Sequence, residues 1–201
     1  MTQHTQTVGI LAYGSLIDEP GDELQSLITR TIRDVVTPFP VEFARRSSSR
    51  GDAPTLVPYS GGAPVRGAIL VVEASAARAS DILWRRETRK TDVTLSYPGV
   101  RPDQPNAVRI EQITGLASVD LVLYTSIDSN VTPLTAEHLA DLAIASVAKA
   151  ELGKDGISYL AAAKANGIVT PLSSAYEAEI LRKMNTHSLA RALAALGPAA
   201  A

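Results

Sequence analysis

The chain has 201 residues, of which 45% are hydrophobic and 4% aromatic, and its formal net charge is −2 at pH 7. This composition is ordinary for a folded globular protein, and the charge provides no basic footprint for nucleic acid. Cysteine is absent, which excludes disulfides, thiolate catalysis and cysteine-bound zinc. The N-terminal segment resembles neither a signal peptide nor a membrane span, so we expect a cytoplasmic protein without a membrane partner.

The first predicted element is a buried strand over residues 7–13, which ends in the sequence Tyr13-Gly14-Ser15-Leu16. A turn and a short helix are predicted next, over residues 18–30. Three short strands then follow at close spacing: 40–48, 54–60 and 65–73. The glycine-rich segment 59–64 is predicted to be the hairpin turn between the last two strands, and such spacing favours antiparallel pairing.

A helix is predicted over residues 75–88, with Ser75 as its N-cap, followed by strands over 106–113 and 118–126. After residue 130 the pattern becomes helical. Three helical segments are predicted: 134–152, 155–165 and 174–196. Ser174 and Glu177 have the spacing of a capping box for the last of them. This order predicts an α+β protein, with a β-rich core over residues 1–130 and a helical extension over 131–201.

Ser15 invites the hypothesis of a catalytic nucleophile, but the pattern around it argues against that role. A nucleophile elbow has glycine two positions before and two positions after the serine, where this chain has Tyr13 and Ile17. A serine nucleophile also needs a base, usually histidine, and the three histidines do not favour such a pair. They are His4, His138 and His187, and no metal-ligand spacing connects them.

A single carboxylate stands out at the end of the helix predicted over residues 75–88. Ala79, Leu83 and Glu87 are spaced four apart and share one face, which Ile82 joins. Apolar surroundings and the negative end of the helix dipole both disfavour a charged carboxylate at this position. A carboxylate that holds a proton more readily than usual suits general acid–base chemistry near neutral pH.

Two alternatives concern charged residues. The helix pattern by itself favours a surface ion pair between Glu87 and one of its basic neighbours, which are Arg85, Arg86, Arg89 and Lys90. The cluster of Arg45, Arg46 and Arg50 is either a solvated strand end or a rim that attracts an anionic substrate.

The segment LAYGSLI, residues 11–17, closely resembles the signature of the gamma-glutamylcyclotransferase superfamily, in which the first strand ends in Tyr-Gly-Ser followed by Asn or Leu. The resemblance continues in VRGAILVVEASAARASDILWRRE, residues 65–87, which is similar to the family's strand and the helix that ends in the catalytic Glu. VDLVLYTS, residues 119–126, resembles a later strand that carries a tyrosine. ISYLAAAKANGI, residues 157–168, is loosely similar to the C-terminal part of ChaC-type members.

The resemblance implies a small, mostly antiparallel β-barrel or sheet with flanking helices. It also implies cyclisation of a gamma-glutamyl amide or peptide to 5-oxoproline, with release of the amine or amino acid. Glu87 would be the general acid–base, the Gly14, Ser15 and Leu16 backbone would donate hydrogen bonds, and Tyr13 and Tyr124 would line the pocket. The implied partner is a small gamma-glutamyl substrate, and no metal or organic cofactor is required.

This chain departs from the ChaC pattern at two places. Asp18 stands where an aromatic residue usually follows the loop, and Tyr97 lies ten residues after Glu87 instead of close behind it. The resemblance therefore implies the reaction type more directly than glutathione as the substrate. Two other functions stay open: a catalytically silent metabolite- or protein-binding module, and an enzyme that trims a gamma-glutamyl group from a biosynthetic intermediate. The C-terminal helices are compatible with packing on the core or with a homo-oligomer interface.

Overall fold

The structure, a computed structural model, describes residues 6–100, 104 and 106–197. The strands that it contains are β1 Val8–Ala12, β2 Ile28–Val36, β3 Val41–Ser47, β4 Ala53–Pro58, β5 Arg66–Val72, β6 Arg109–Leu116 and β7 Val119–Ser126. The α-helices are α1 Asp22–Gln25, α2 Ala76–Thr88, α3 Ala136–Val147, α4 Gly156–Ala165, α5 Ser173–Lys183 and α6 Leu189–Leu196. The predicted α+β class is confirmed.

The chain divides into two compact units. The first unit holds Met1–Thr37 and Gly67–Asp128, and the second holds Pro38–Arg66 and Ser129–Ala201. This division differs from the predicted boundary at residue 130 in one segment, because Pro38–Arg66 groups with the C-terminal helices. The physical reason is that β3 and β4 pair with each other, and that β4 packs against α3 and α4.

The first unit is built on a five-stranded sheet in the order β2-β5-β1-β7-β6. The central strand β1 is antiparallel to β5 and parallel to β7, and β7 is antiparallel to β6. The sheet is therefore mixed, and no closed barrel is found among the described residues. All five β1 residues are buried, and a Cβ on Gly9 would meet the side chain of Ile69 at 2.5 Å. Such crowding shows why glycine occupies that position.

Helix α2 packs against this sheet as its pattern predicts. Ser75 caps it, since its hydroxyl accepts a hydrogen bond from the backbone N–H of Arg78. Ala79, Ile82 and Leu83 are buried in one apolar cluster with residues of β1, β5 and β7. This packing holds the C-terminal end of α2, where Glu87 lies, in a defined position.

The second unit combines the β3–β4 hairpin with helices α3 to α6. Its core contains Phe43, which makes edge contacts with the rings of Tyr159 and Tyr176. The buried carboxylate of Glu42 accepts hydrogen bonds from the N–H of Phe43, the hydroxyl of Thr170 and the N–H of Leu172. Leu172 immediately precedes α5, so Glu42 caps that helix from a distant part of the chain.

That arrangement corrects the prediction of a capping box. Ser174 lies inside α5 and not at its N-cap, which is Leu172, and Glu177 binds the ammonium of Lys164. The single helix predicted over 174–196 is also wrong, because α5 ends at Lys183 and α6 begins at Leu189. Ser188 caps α6 through the N–H of Arg191, a signal that lies inside the predicted helix.

Two further predictions about the strands are wrong. Residues from Ile28 to Arg30 belong to β2 and not to a helix, and much of β2 is exposed, so its apolar pattern is weak. The segment 59–64 does not join β4 and β5 as a hairpin. Its Ala63 pairs with Val41, and β5 then enters the other sheet beside β1.

Candidate active site

The loop after β1 turns sharply at a glycine. Tyr13 continues the extended backbone of the strand, and Gly14 has φ of +80°, a conformation that favours glycine. A short 3-10 helix over Gly14–Ile17 follows, and it buries the side chain of Leu16 in the apolar cluster of the first unit. The end of β1 before the loop and the buried side chain of Leu16 within it therefore fix the position of this loop.

The turn leaves backbone donors at the start of the 3-10 helix. In such a helix each N–H bonds to the carbonyl three residues before it, so the first N–H groups have no partner inside the helix. Gly14 and Ser15 hold these positions, whereas the third predicted donor, Leu16, follows them. Two of the predicted loop donors thus lie at the start of the 3-10 helix, and their role in binding stays a prediction.

Tyr13 connects the loop to the end of β7. Its hydroxyl donates a hydrogen bond of 2.6 Å to the backbone carbonyl of Thr125. Because β1 and β7 are parallel, their carboxyl ends lie at the same edge of the sheet. The loop of residues 13–17 and the end of β7 therefore meet at one edge.

Glu87 is the penultimate residue of α2, and the helix closes at Arg89, whose φ is +55°. The Glu87 side chain is 26% exposed, and its Oε1 lies 2.5 Å from Nη1 of Arg86. The surface-pair alternative therefore holds in part, with Arg86 as the partner. The pattern of the helix predicted surroundings that disfavour a charged carboxylate, whereas the guanidinium supplies an opposite charge.

The same guanidinium also binds the loop. Nη2 of Arg86 lies 3.3 Å from the hydroxyl of Ser15 and 2.7 Å from the backbone carbonyl of Glu19. One side chain thus joins Glu87 to the loop after β1. Glu87 contacts Nη1 and Ser15 contacts Nη2 of the same guanidinium, an arrangement that their separation in sequence does not reveal.

The neighbouring Arg85 has a different role. Its side chain is only 6% exposed, binds the carboxylate of Glu23 in α1 and donates a hydrogen bond to the carbonyl of Leu95. A buried arginine with these partners fixes α1 and the segment after α2 against the helix. It stabilises the surroundings of Glu87 without being exposed to a ligand.

Tyr97 fixes the same segment at another point. Its N–H donates to the carboxylate of Asp81, and its hydroxyl accepts from the N–H of Ile110. Its ring lies 6.4 Å from the ring of Trp84. The segment after α2 therefore folds back along the helix, an arrangement that we did not predict from the sequence. The aromatic pair of Trp84 and Tyr97 was the available signal.

Tyr124 lies elsewhere on the sheet. Leu121 and Leu123 of β7 belong to the apolar cluster that contains α2, so strand alternation directs Tyr124 to the opposite face. Its cross-strand neighbour is Glu111 of β6. Burial, and then the charge of Glu111, raise the pKa of the Tyr124 phenol. Its predicted role as a pocket wall stays a prediction, and alternation does not bring it to Glu87.

The other candidates from the sequence have structural contacts in the second unit. Arg50 stacks over the ring of Tyr159 and donates to the carbonyl of Lys154, and Arg46 lies 3.6 Å from the carboxylate of Asp52. These contacts favour the interpretation that the arginine cluster belongs to a strand end, and not to a rim that attracts an anionic substrate. His4 lies outside the described residues.

No cluster of three or more His, Asp or Glu side chains that could hold a metal is found in the described part of the chain. None of the helices within residues 6–100 and 106–197 has both the length and the apolar character that crossing a membrane requires. Comparisons of the chain with models of protein families, with curated proteins and with solved structures return no match.

Proposed function

We propose that the protein is a gamma-glutamyl cyclotransferase that converts a small gamma-glutamyl amide or peptide to 5-oxoproline and a free amine or amino acid. The observation that carries the proposal is the pairing of Glu87 with the loop after β1 through Arg86. The sequence resemblance assigns the acid–base and the donors of this reaction to those two segments. Their proximity is what such a site requires.

The reaction demands little of the protein, because the nucleophile and the electrophile belong to one substrate. The α-amine attacks its own γ-carbonyl, so holding a folded substrate conformer supplies much of the rate. Glu87 first takes a proton from the α-ammonium and frees the amine. The new carbon–nitrogen bond closes a five-membered ring, and the carbonyl oxygen becomes negatively charged.

The loop and Glu87 then complete the reaction. The N–H groups of Gly14 and Ser15 donate to the oxyanion, a role for which fixed backbone donors are suited. Glu87 gives its proton to the leaving nitrogen as the old carbon–nitrogen bond breaks. The ring nitrogen releases a second proton, which protonates the departing amine. The α-ammonium thus becomes a lactam N–H, the leaving group departs as an ammonium, and Glu87 is regenerated.

The contact between Arg86 and Glu87 favours a second candidate. The guanidinium of Arg86 occupies one oxygen of the Glu87 carboxylate, and the pair by itself provides opposite charges for binding. A catalytically silent module that binds a small metabolite would have this arrangement. The two candidates differ in turnover and not in binding.

A substrate panel separates them. The purified protein is incubated with glutathione, gamma-glutamyl-alanine and gamma-glutamyl-lysine, and 5-oxoproline is measured by mass spectrometry. We expect product from at least one of these substrates, with its rate proportional to protein concentration. Binding without product from any of them would support the silent module and reject the cyclotransferase.

A further inference from the structure

An ion pair between Arg86 and Glu87 lies at the end of α2. Glu87 and Arg86 are 26% and 21% exposed, so solvent and small solutes reach both. An anion alone at this place would be repelled by Glu87, and a cation alone by Arg86. A ligand that carries an ammonium and a carboxylate on one carbon matches both charges at once.

The three contacts of Arg86 differ in the charge of the partner group. Its Nη2 donates to the carbonyl of Glu19 and faces the hydroxyl of Ser15, and both are neutral groups of the loop region. Its Nη1 contacts only the carboxylate of Glu87 among the bonds observed in the described residues. Nη1 is therefore the edge that an incoming carboxylate can take without releasing the guanidinium from its anchor at Glu19.

The helix geometry supports a contact that exchanges easily. Adjacent residues of an α-helix point about 100° apart around the axis, so positions 86 and 87 do not face each other. The long side chain of Arg86 has to bend toward the helix end to reach Glu87. An ion pair that is partly exposed to water contributes little to stability, so a ligand displaces it at small cost.

We propose that Arg86 and Glu87 form a receptor for the α-amino-acid zwitterion. The α-carboxylate of the ligand replaces Glu87 at Nη1 of Arg86, and the α-ammonium replaces Arg86 at Glu87. Four charges of alternating sign result, and the net charge of the site does not change. This inference rests on the proposed function, and it identifies Arg86 as the residue that requires a free α-carboxylate in the substrate.

The exchange also brings the substrate ammonium to Glu87. In the free protein the guanidinium of Arg86 occupies Oε1 of the carboxylate. When the substrate carboxylate binds Arg86, the group beside Glu87 is the α-ammonium whose proton it takes. The acid–base therefore becomes available only when a ligand with both charges is bound.

Binding of a ligand that cannot cyclise tests the exchange without turnover. L-methionine sulfone carries the zwitterion and a polar sulfone but no γ-carbonyl, and its α-carboxamide lacks the carboxylate charge. Binding of each is measured by NMR titration to the wild-type protein, to Arg86→Gln and to Arg78→Gln. Arg78 lies on the same helix and is exposed, so its substitution provides the same charge change as a control.

We expect Arg86→Gln to weaken binding of L-methionine sulfone about 10-fold or more, and Arg78→Gln to change it less than about 2-fold. The α-carboxamide, which keeps only the ammonium, should bind weakly to wild type and no more weakly to Arg86→Gln, because that change removes the positive charge that repels it. Equal binding of the zwitterion to wild type and Arg86→Gln, or no binding to wild type, would overturn the inference. Zwitterion binding that depends on Arg86 without 5-oxoproline from any substrate would reject the cyclotransferase and leave the receptor intact.

Steady-state kinetics provide a second test of the role of Arg86 once a substrate of the cyclotransferase has been identified. Gamma-glutamyl-4-nitroanilide and its α-carboxamide are compared in wild type and Arg86→Gln. A loss of kcat/KM confined to the carboxylate substrate is the expected result. An equal loss for both substrates would show that Arg86 only positions the loop and Glu87, and would overturn the exchange.

Discussion

The two units each hold a glutamate whose contacts are defined, and the two glutamates are bound in opposite ways. Glu42 is 1% exposed, and three neutral donors occupy both of its carboxylate oxygens. Glu87 is partly exposed and contacts one guanidinium through one oxygen. The buried carboxylate with three donors holds the fold together, whereas Glu87 has one partner among the described residues and is reached by solvent.

The two glutamates differ in the free-energy cost of losing a hydrogen-bond partner. A buried acceptor that loses its donors has no water to replace them, so Glu42 cannot change its contacts without destabilising the unit. Glu87 can exchange a partner because water reaches it. We therefore expect substitution of Glu42 to affect stability and substitution of Glu87 to affect turnover.

The largest expected effect is on the rate in Glu87→Gln. The amide keeps the shape of the side chain but neither accepts nor returns a proton. Formation of 5-oxoproline should fall about 10²- to 10⁴-fold, as expected for the loss of a general acid–base. Mass spectrometry of the product measures the rate, and urea unfolding checks that stability changes by less than about 1 kcal/mol. An unchanged rate would remove Glu87 from the mechanism.

The next effect is on stability in Glu42→Gln, the matched change in the second unit. One acceptor oxygen becomes an N–H₂ donor that faces a buried donor, so we expect a loss of about 2–3 kcal/mol in the free energy of unfolding. Urea denaturation measures this loss. Any folded fraction should keep its turnover per active molecule. A Glu42→Gln variant as stable as the wild type would show that the buried hydrogen bonds of Glu42 do not stabilise the second unit as proposed.

A smaller effect is expected at the loop. Alanine at position 14 would be strained at φ of +80°, which costs about 1–2 kcal/mol and displaces the loop donors. We expect Gly14→Ala to lower kcat/KM about 10-fold, whereas Ser15→Ala, which removes only a hydroxyl, should lower it less than about 3-fold. Steady-state kinetics compare the two. A loss in Ser15→Ala as large as that in Glu87→Gln would restore serine as a nucleophile.

The smallest effect concerns Tyr176, a buried polar group in the same unit as Glu42. Its hydroxyl has no hydrogen-bond partner among the described residues, so Tyr176→Phe should stabilise the protein by about 1 kcal/mol. Burial above all, with the charges of Asp155 and Tyr159, raises the pKa of this phenol far above its usual value of about 10. The folded chain then keeps a proton that the unfolded chain loses, so stability falls as pH rises above about 10.

Urea unfolding between pH 8 and 11 tests this sign. Wild-type stability should be level below about pH 10 and decrease above it, and the decrease should be shallower in Tyr176→Phe. A destabilised Tyr176→Phe variant with an unchanged slope would mean that the hydroxyl is satisfied. Tyr176 would then belong with Glu42, as a buried group whose contacts stabilise the unit.

The elements around the candidate site were predictable because local patterns determine them. The apolar run of β1, the N-cap of Ser75 and the stripe of α2 all depend on residues near in sequence, and the structure confirms them. The glycine at position 14 likewise stands where φ is positive. Local chemistry thus placed both the loop and the end of the helix that carries Glu87.

The long-range contacts of Arg86 and Glu42 were not predictable in the same way. Arg86 reaches back 67 residues to Glu19, and Glu42 caps a helix 130 residues away. Such contacts depend on how the elements pack, and no spacing rule encodes them. Strand β2 was missed for a related reason, since its exposed residues show no apolar alternation.

The origin of the oxygen in the product tests most directly whether the protein catalyses intramolecular cyclisation of a gamma-glutamyl substrate. Gamma-glutamyl-alanine, or whichever panel substrate reacts, is incubated with the wild-type protein in H₂¹⁸O. Mass spectrometry then measures the incorporation of ¹⁸O into the products. We predict 5-oxoproline without ¹⁸O, because the α-amine and not water attacks the γ-carbonyl. Glutamate carrying ¹⁸O in its γ-carboxylate would show hydrolysis by water and contradict intramolecular cyclisation.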